Sequence, residues 1–205
     1  MILYVDAALI AIDKPAGLPA VPGRPAELRD CVASRVQALY PDALVVHRLD
    51  MATSGLMLMA RGRTAQQTLS RAFEARHIDK TYEAWVAGSL AEDAGTIALP
   101  LAADWPNRPR QRVDAERGKP AITHWRVLAR QAGATRLALH PITGRSHQLR
   151  VHLAAIGHPI LGDALYAPQH PAARLLLHAQ ALTLPHPASG AALSLQAPLP
   201  PGWLP

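Results

Sequence analysis

The sequence predicts one α+β domain spanning residues 1–205, with a central, mainly antiparallel sheet and flanking helices. Three observations carry this. Short apolar runs of strand length recur along the 205 residues, while only three segments carry helical periodicity. Strands and helices do not alternate regularly, which argues against a doubly wound parallel sheet. Nineteen prolines and thirteen glycines cut the chain into short elements rather than a helical bundle. A hydrophobic fraction of 49% supplies a sizeable core, and with aromatics at 4% that core is made of Leu, Ala, Val and Ile.

Taken in order, residues 2–5 and 8–12 form two strands broken at Asp6. Residues 14–23, KPAGLPAVPG, are a loop by their prolines and glycines. Residues 27–39 place Leu28, Val32, Val36 and Leu39 at helical spacing, stopping before Pro41. The apolar runs 43–46 and 56–60 flank the segment that contains Asp50. Residues 64–76 form a second helix, with Leu69, Ala72 and Phe73 on one side and Thr64 as its N-cap. Residues 82–86 are a strand, and 103–119 form a polar, basic loop. Residues 122–129 and 135–140 pair across a turn at Gly133. Residues 146–156 form the third helix, stopped by Gly157. Residues 175–184 are a late strand, followed by a proline-rich tail.

The net charge of +6 and a sequence pI near 10.1 favour a polyanionic partner, nucleic acid first. Arginine far outnumbers lysine, which occurs only at 14, 80 and 119; a GC-biased proteome gives the same balance, so charge alone does not choose. Cys31 is the single cysteine, which excludes an internal disulfide and a cysteine-based zinc site and points to a reducing, cytoplasmic setting. The N-terminus lacks the form of a signal peptide, and no apolar stretch is long enough to span a membrane.

The chemistry-bearing residues cluster in three places. Residues 47–55, HRLDMATSG, place Asp50 two residues after Arg48, between two strands and among small and hydroxyl side chains. Asp50 is either a turn aspartate capping backbone N–H groups near Thr53 or Ser54, or a reactive carboxylate held between Arg48 and a second cation. Residues 141–152, PITGRSHQLRVH, lead from a strand into a helix start crowded with Arg145, His147, Gln148, Arg150 and His152, more than a solvated surface needs. An arginine here could pair with Asp50 and keep it ionised. Asp163, in the turn-rich segment that follows, is a weaker acid candidate with a structural role. Tyr82, in DKTYEAWV, is either a packing residue of its strand or a platform for a nucleobase, with Lys80 on the same side. His147 and His152 lack the spacing of a zinc helix, and no cofactor fingerprint occurs; neither metal nor cofactor is expected.

Together these segments resemble the RluA-type family of pseudouridine synthases, and the resemblance covers nearly the whole chain. HRLDMATSG at 47–55 is similar to the family's catalytic-aspartate motif, KTY at 80–82 to its tyrosine motif. GRSHQLRVH at 144–152, with GHPILGD at 157–163 and Tyr166, is similar to the motif that supplies an arginine. VPGR at 21–24, DWPNRP at 104–109 and GKPA at 118–121 are similar to the short RluA branch, which has no separate N-terminal RNA-binding domain. Glu83 and Trp85 depart from the family pattern.

The resemblance implies a pseudouridine synthase fold around an RNA-binding cleft, and a cytoplasmic, monomeric isomerase. Its RNAs would be 23S ribosomal RNA and the anticodon stem-loop of certain tRNAs. Asp50 is implied as the catalyst, Tyr82 as the residue against the uracil, and Arg150 as the ion-pair partner of Asp50. Arg48 is implied either to fill the gap left by the extruded base or to hold the rearranged loop. Lys80, Arg145, His147 and Gln148 are expected at the substrate. Arg108, Arg110, Arg112 and Arg24 are expected at phosphates, against the alternative of solvated charge. Two rivals remain. A catalytically silent RNA-binding or chaperone module would not need three intact motifs. A glycosidase would need a second carboxylate, which the Asp50 segment does not offer.

Overall fold

The structure, a computed structural model, describes residues 1–131 and 133–205, apart from the side chain of Glu27. Chain contacts divide it into two compact units. The first comprises Met1–Lys80 and His178–Leu199, the second Thr81–Leu177 and Pro200–Pro205.

In the first unit, β1 (Ile2–Val5) and β2 (Leu9–Lys14) form an antiparallel pair. Asp6 makes the turn between them, its carboxylate accepting the N–H groups of Ala8 and Leu9. β4 (Ser54–Arg61) is central: β2 and β3 (Ala43–Val45) pair with it antiparallel, and β11 (Leu177–Pro185) pairs with it in parallel through His178 and Ala179. β12 (Ala192–Gln196) adds to β11. Leu9, Ala11, Leu56 and Leu58 share one core with Leu182 and Leu184, covered by Leu69 and Ala72 of α2 (Gly62–Glu74). The parallel contact is tight. A Cβ on Gly55 (φ +107°) would sit 2.2 Å from the Ala179 carbonyl oxygen, so only glycine fits.

The expected helix over 27–39 is interrupted. A 3-10 turn, Ala26–Leu28, precedes α1 (Val32–Leu39), because Cys31 caps the helix in a reciprocal pair of bonds with Ser34. Leu39, expected on the apolar face, is 64% exposed. Thr64 is not the N-cap of α2. β4 runs directly into that helix, whose cap is Arg61, so Thr64 lies inside the first turn.

The second unit holds antiparallel strands in the order β5 (Asp79–Ala87), β10 (Ala134–Pro141), β9 (Ile122–Gln131), β6 (Ala94–Ala98), so the chain crosses from β5 to the far edge at β6 before returning. The segment expected as a plain loop contains a small hairpin, β7 (Leu101–Ala103) and β8 (Gln111–Val113), joined through a 3-10 turn at Trp105–Asn107. α3 (Gln148–Ala155) packs Val151 on Leu101 and Ala121. The two departures from the family pattern are structural here. Glu83 pairs with Arg136 on the neighbouring strand β10, and buried Trp85 donates its indole N–H to the Trp203 carbonyl at 3.2 Å.

Candidate active site

In the first unit, Asp50 is half-buried in the loop between β3 and β4. The Thr53 N–H donates to the Asp50 carbonyl at 3.1 Å and closes a turn there. The Met51 carbonyl accepts the Gly17 N–H at 2.8 Å and the Lys14 ammonium at 2.9 Å. Lys14 is fully buried and also donates to the carbonyls of Pro15 (2.9 Å) and Leu18 (2.7 Å). A buried ammonium is tolerated only where such acceptors replace its hydration. Lys14 thus ties the 15–18 loop to the residue that follows Asp50. The sequence offered one signal for it: a rare lysine closing an apolar run just before a proline.

His47 fixes the loop on its other side. Its Nε2 accepts the Leu58 N–H of β4 at 2.8 Å, and its ring lies 4.5 Å from that of Phe73 on α2. Only the neutral imidazole can accept in this way. Burial, and then the charge of Lys80, hold its pKa down to about 3. Lys80 is itself lowered, by burial first and then by Arg76, against the opposing pull of Asp79. Arg48 is exposed beside this anchored segment. Ser54, at the start of β4, shares a 2.8 Å hydrogen bond with Nδ1 of His178, both residues being buried.

In the second unit, Tyr82 is half-buried on β5, opposite Leu139 of β10. Arg150 is buried on α3. Its Nε and Nη2 donate to the two carboxylate oxygens of Asp163 at 2.7 and 2.6 Å. Asp163 is fixed in turn by the N–H groups of Leu165 and Tyr166. The sequence reading gives the Arg150 guanidinium to Asp50. The structure adds Asp163, which holds two of its nitrogens and orients the plane of the group. The Arg150 guanidinium also lies 5.1 Å from the Tyr166 ring centroid. The Tyr166 hydroxyl accepts the Gln111 N–H of β8 at 2.8 Å and shares a 2.7 Å bond with Nδ1 of His147.

His147 takes a left-handed backbone (φ 53°) at the cap of α3, so it does not share a helix face with Arg150 as its spacing suggests. The two meet instead at Tyr166. Gln148, expected at the substrate, is buried. Its amide accepts from the Thr143 hydroxyl and the Arg145 N–H and donates to the Ile122 carbonyl and the Thr123 hydroxyl. Those bonds hold the strand–helix junction. Arg145 is exposed, with Nε on the Pro120 carbonyl at 3.2 Å. Arg24, Arg108 and Arg110 are exposed; Arg112 pairs with Asp114. Among the described residues no group of three or more His, Cys, Asp or Glu could hold a metal ion. No helix among them is long and apolar enough to cross a membrane.

The model of the family described as RNA pseudouridylate synthase matches residues 8–155. The chain belongs to that family. This synthase is 53% identical to the dual-specificity RNA pseudouridine synthase RluA of Yersinia pestis, over 93% of the chain and 94% of the relative. It is 50% identical to the Escherichia coli K12 protein of the same name, over 97% and 92%. Among solved structures it is similar to human RNA pseudouridylate synthase domain containing 1 (TM-score 0.81, 27% identity, covering 97% of this chain and 83% of that one). It is similar also to human RNA pseudouridylate synthase domain containing 4 (TM-score 0.80, 26% identity, covering 98% and 89%). The α+β pseudouridine synthase fold is shared, and the synthase is an RNA-modifying isomerase.

Proposed function

We propose that this synthase converts uridine to pseudouridine in two RNAs, 23S ribosomal RNA and the anticodon stem-loop of tRNA, with Asp50, Tyr82 and Arg150 as its catalytic residues. The observation that carries the reading is the near-full-length likeness to relatives named as dual-specificity synthases. The reaction breaks the N1–C1′ bond, turns the uracil and joins C5 to C1′. N1 takes up a proton and C5 gives one up, so the isomerisation balances. No electron or group is gained, so side chains are enough.

Asp50 acts at C1′ of the ribose, and its loop, held by Lys14 and His47, suits that role because a displaced carboxylate loses reactivity steeply. Arg150 pairs with the Asp50 carboxylate in the reacting complex and keeps it ionised. Tyr82 lies against the uracil and takes part in removing the C5 proton. The uridine must first leave its stack, at a cost of a few kcal/mol that pocket contacts repay; Arg48 fills the gap it leaves. Lys80, Arg145, His147 and Gln148 contact the substrate, and Arg24, Arg108 and Arg110 contact the RNA beyond the reacting uridine. The two units work as one catalytic domain, in the cytoplasm and as a monomer.

The test uses the purified protein with RNA carrying tritium at uridine C5 and no added cofactor. Tritium release is expected from both a tRNA anticodon stem-loop and a 23S fragment. Release from one RNA alone would contradict dual specificity, and release from neither would contradict the reading altogether.

A further inference from the structure

Trp105 stands out against the other tryptophans. Trp85, Trp125 and Trp203 are buried, at 1%, 8% and 7% exposure, whereas Trp105 is 68% exposed. It lies in the turn between β7 and β8, and that turn does not need the indole. The backbone closes it, through the Asp104 N–H on the Arg110 carbonyl and the Arg110 N–H on the Asn107 carbonyl, both at 3.0 Å. The Asn107 side chain adds a 2.9 Å bond to Asp104, and Pro106 and Pro109 stiffen the segment. The Arg108 guanidinium carbon lies 3.3 Å from the indole centroid and covers one face. With that face covered, the 68% exposure places the opposite face in solvent. An aromatic plane pre-set by proline and arginine, and spent on no core, is what base stacking requires.

The hairpin is also fastened to the arginine of the site. The Gln111 N–H of β8 donates to the Tyr166 hydroxyl, and the Tyr166 ring lies beside Arg150. Arg108 and Arg110 give the exposed turn the positive charge that a phosphate backbone seeks.

We propose that Trp105, backed by Arg108, is a stacking platform for an unpaired base of the RNA substrate other than the uridine being isomerised. The inference rests on RNA being the substrate and names a further contact to it. The ligand is the π-face of a nucleobase, so the platform tolerates base identity and requires an unstacked loop nucleotide. Arg108 has two tasks here: it holds the indole and it adds charge to the stack.

The test compares the wild type with Trp105→Ala and Trp105→Phe on an anticodon-type stem-loop and on copies of it carrying an abasic site at each loop position in turn. Trp105→Ala is expected to raise KM by about 5- to 100-fold, with Trp105→Phe recovering most of the loss. One abasic position is expected to produce the same loss in the wild type and no further loss in Trp105→Ala. Because the other tryptophans are buried, RNA binding is expected to quench the acrylamide-accessible emission of the wild type and leave that of Trp105→Ala unchanged. A Trp105→Ala KM within about twofold of wild type, or losses that add at every abasic position, would overturn the platform. Failure of the isomerase reading is separable, since quenching reports stacking even in a protein that releases no tritium.

Discussion

Arg150 shows how a buried guanidinium is held in one orientation. A guanidinium buried on a short helix would be costly without a partner, and Asp163 supplies a two-point one, itself nearly inaccessible to solvent. The pair fixes the plane and reach of the arginine. We expect Asp163→Asn to lower stability by roughly 3–5 kcal/mol, because it takes a charged, two-point partner away from a buried guanidinium. We also expect kcat to fall by about tenfold or more as the guanidinium loses its orientation. Urea denaturation and single-turnover rates check both. An unchanged kcat in a folded variant would detach Asp163 from the chemistry. The sequence reading gave Asp163 as a weaker acid candidate with a structural role, and its pairing with Arg150 could not be read. Asp163 lies thirteen positions after Arg150, across a helix end and two turns, and no local rule predicts where such a path closes.

At the level of elements, the loop that carries Asp50 is defined by what it hangs from. The sequence located the loop and its flanking strands correctly, since apolar runs on either side of a polar segment are a local signal. Its one signal for Lys14 was a rare lysine before a proline, and it gave none for the anchoring bond of His47; their contacts lie 37 and 11 residues away. Other elements were hidden for similar reasons. β12 sits in a proline-rich tail and is specified by pairing with β11, not by its own pattern. The β7–β8 hairpin lies in a stretch whose charge conceals its pairing. Thr64 has a capping side chain, but the strand ahead of it leaves no room for a separate cap.

Two expectations belong to this level. His47 has a folded pKa of about 3 against an ordinary value of 6.5, so protons bind the unfolded chain more readily between those values. Its contribution is therefore complete above about pH 6.5 and is lost as pH falls towards 3. Wild-type protein is expected to lose more stability between pH 7 and pH 5 than His47→Gln does, by parallel urea titrations; equal losses would show that His47 is not held neutral. The β4–β11 contact is the second case. Gly55→Ala is expected to cost about 3 kcal/mol or more, since it adds both a strained backbone and a clash with Ala179. A melting temperature within a degree or so of wild type would contradict that close approach.

For the molecule as a whole, function was more legible than architecture. Long motifs around Asp50 and Arg150 marked the family, and basic charge agreed with an RNA substrate. Charge alone would not have shown it, because an arginine-rich proteome produces the same balance. The division into two units was not legible either. It follows from long-range pairing, with the chain crossing from one unit to the other at Lys80–Thr81 and returning at Leu177–His178.

The central claim is that the Asp50 carboxylate drives the isomerisation. The most direct measurement is tritium release from C5-labelled stem-loop RNA by Asp50→Asn, a change that keeps the shape of the side chain and removes its charge. The expected result is no release above background, with an unchanged circular dichroism spectrum and RNA binding within about threefold of wild type. Release at the wild-type rate would contradict the claim.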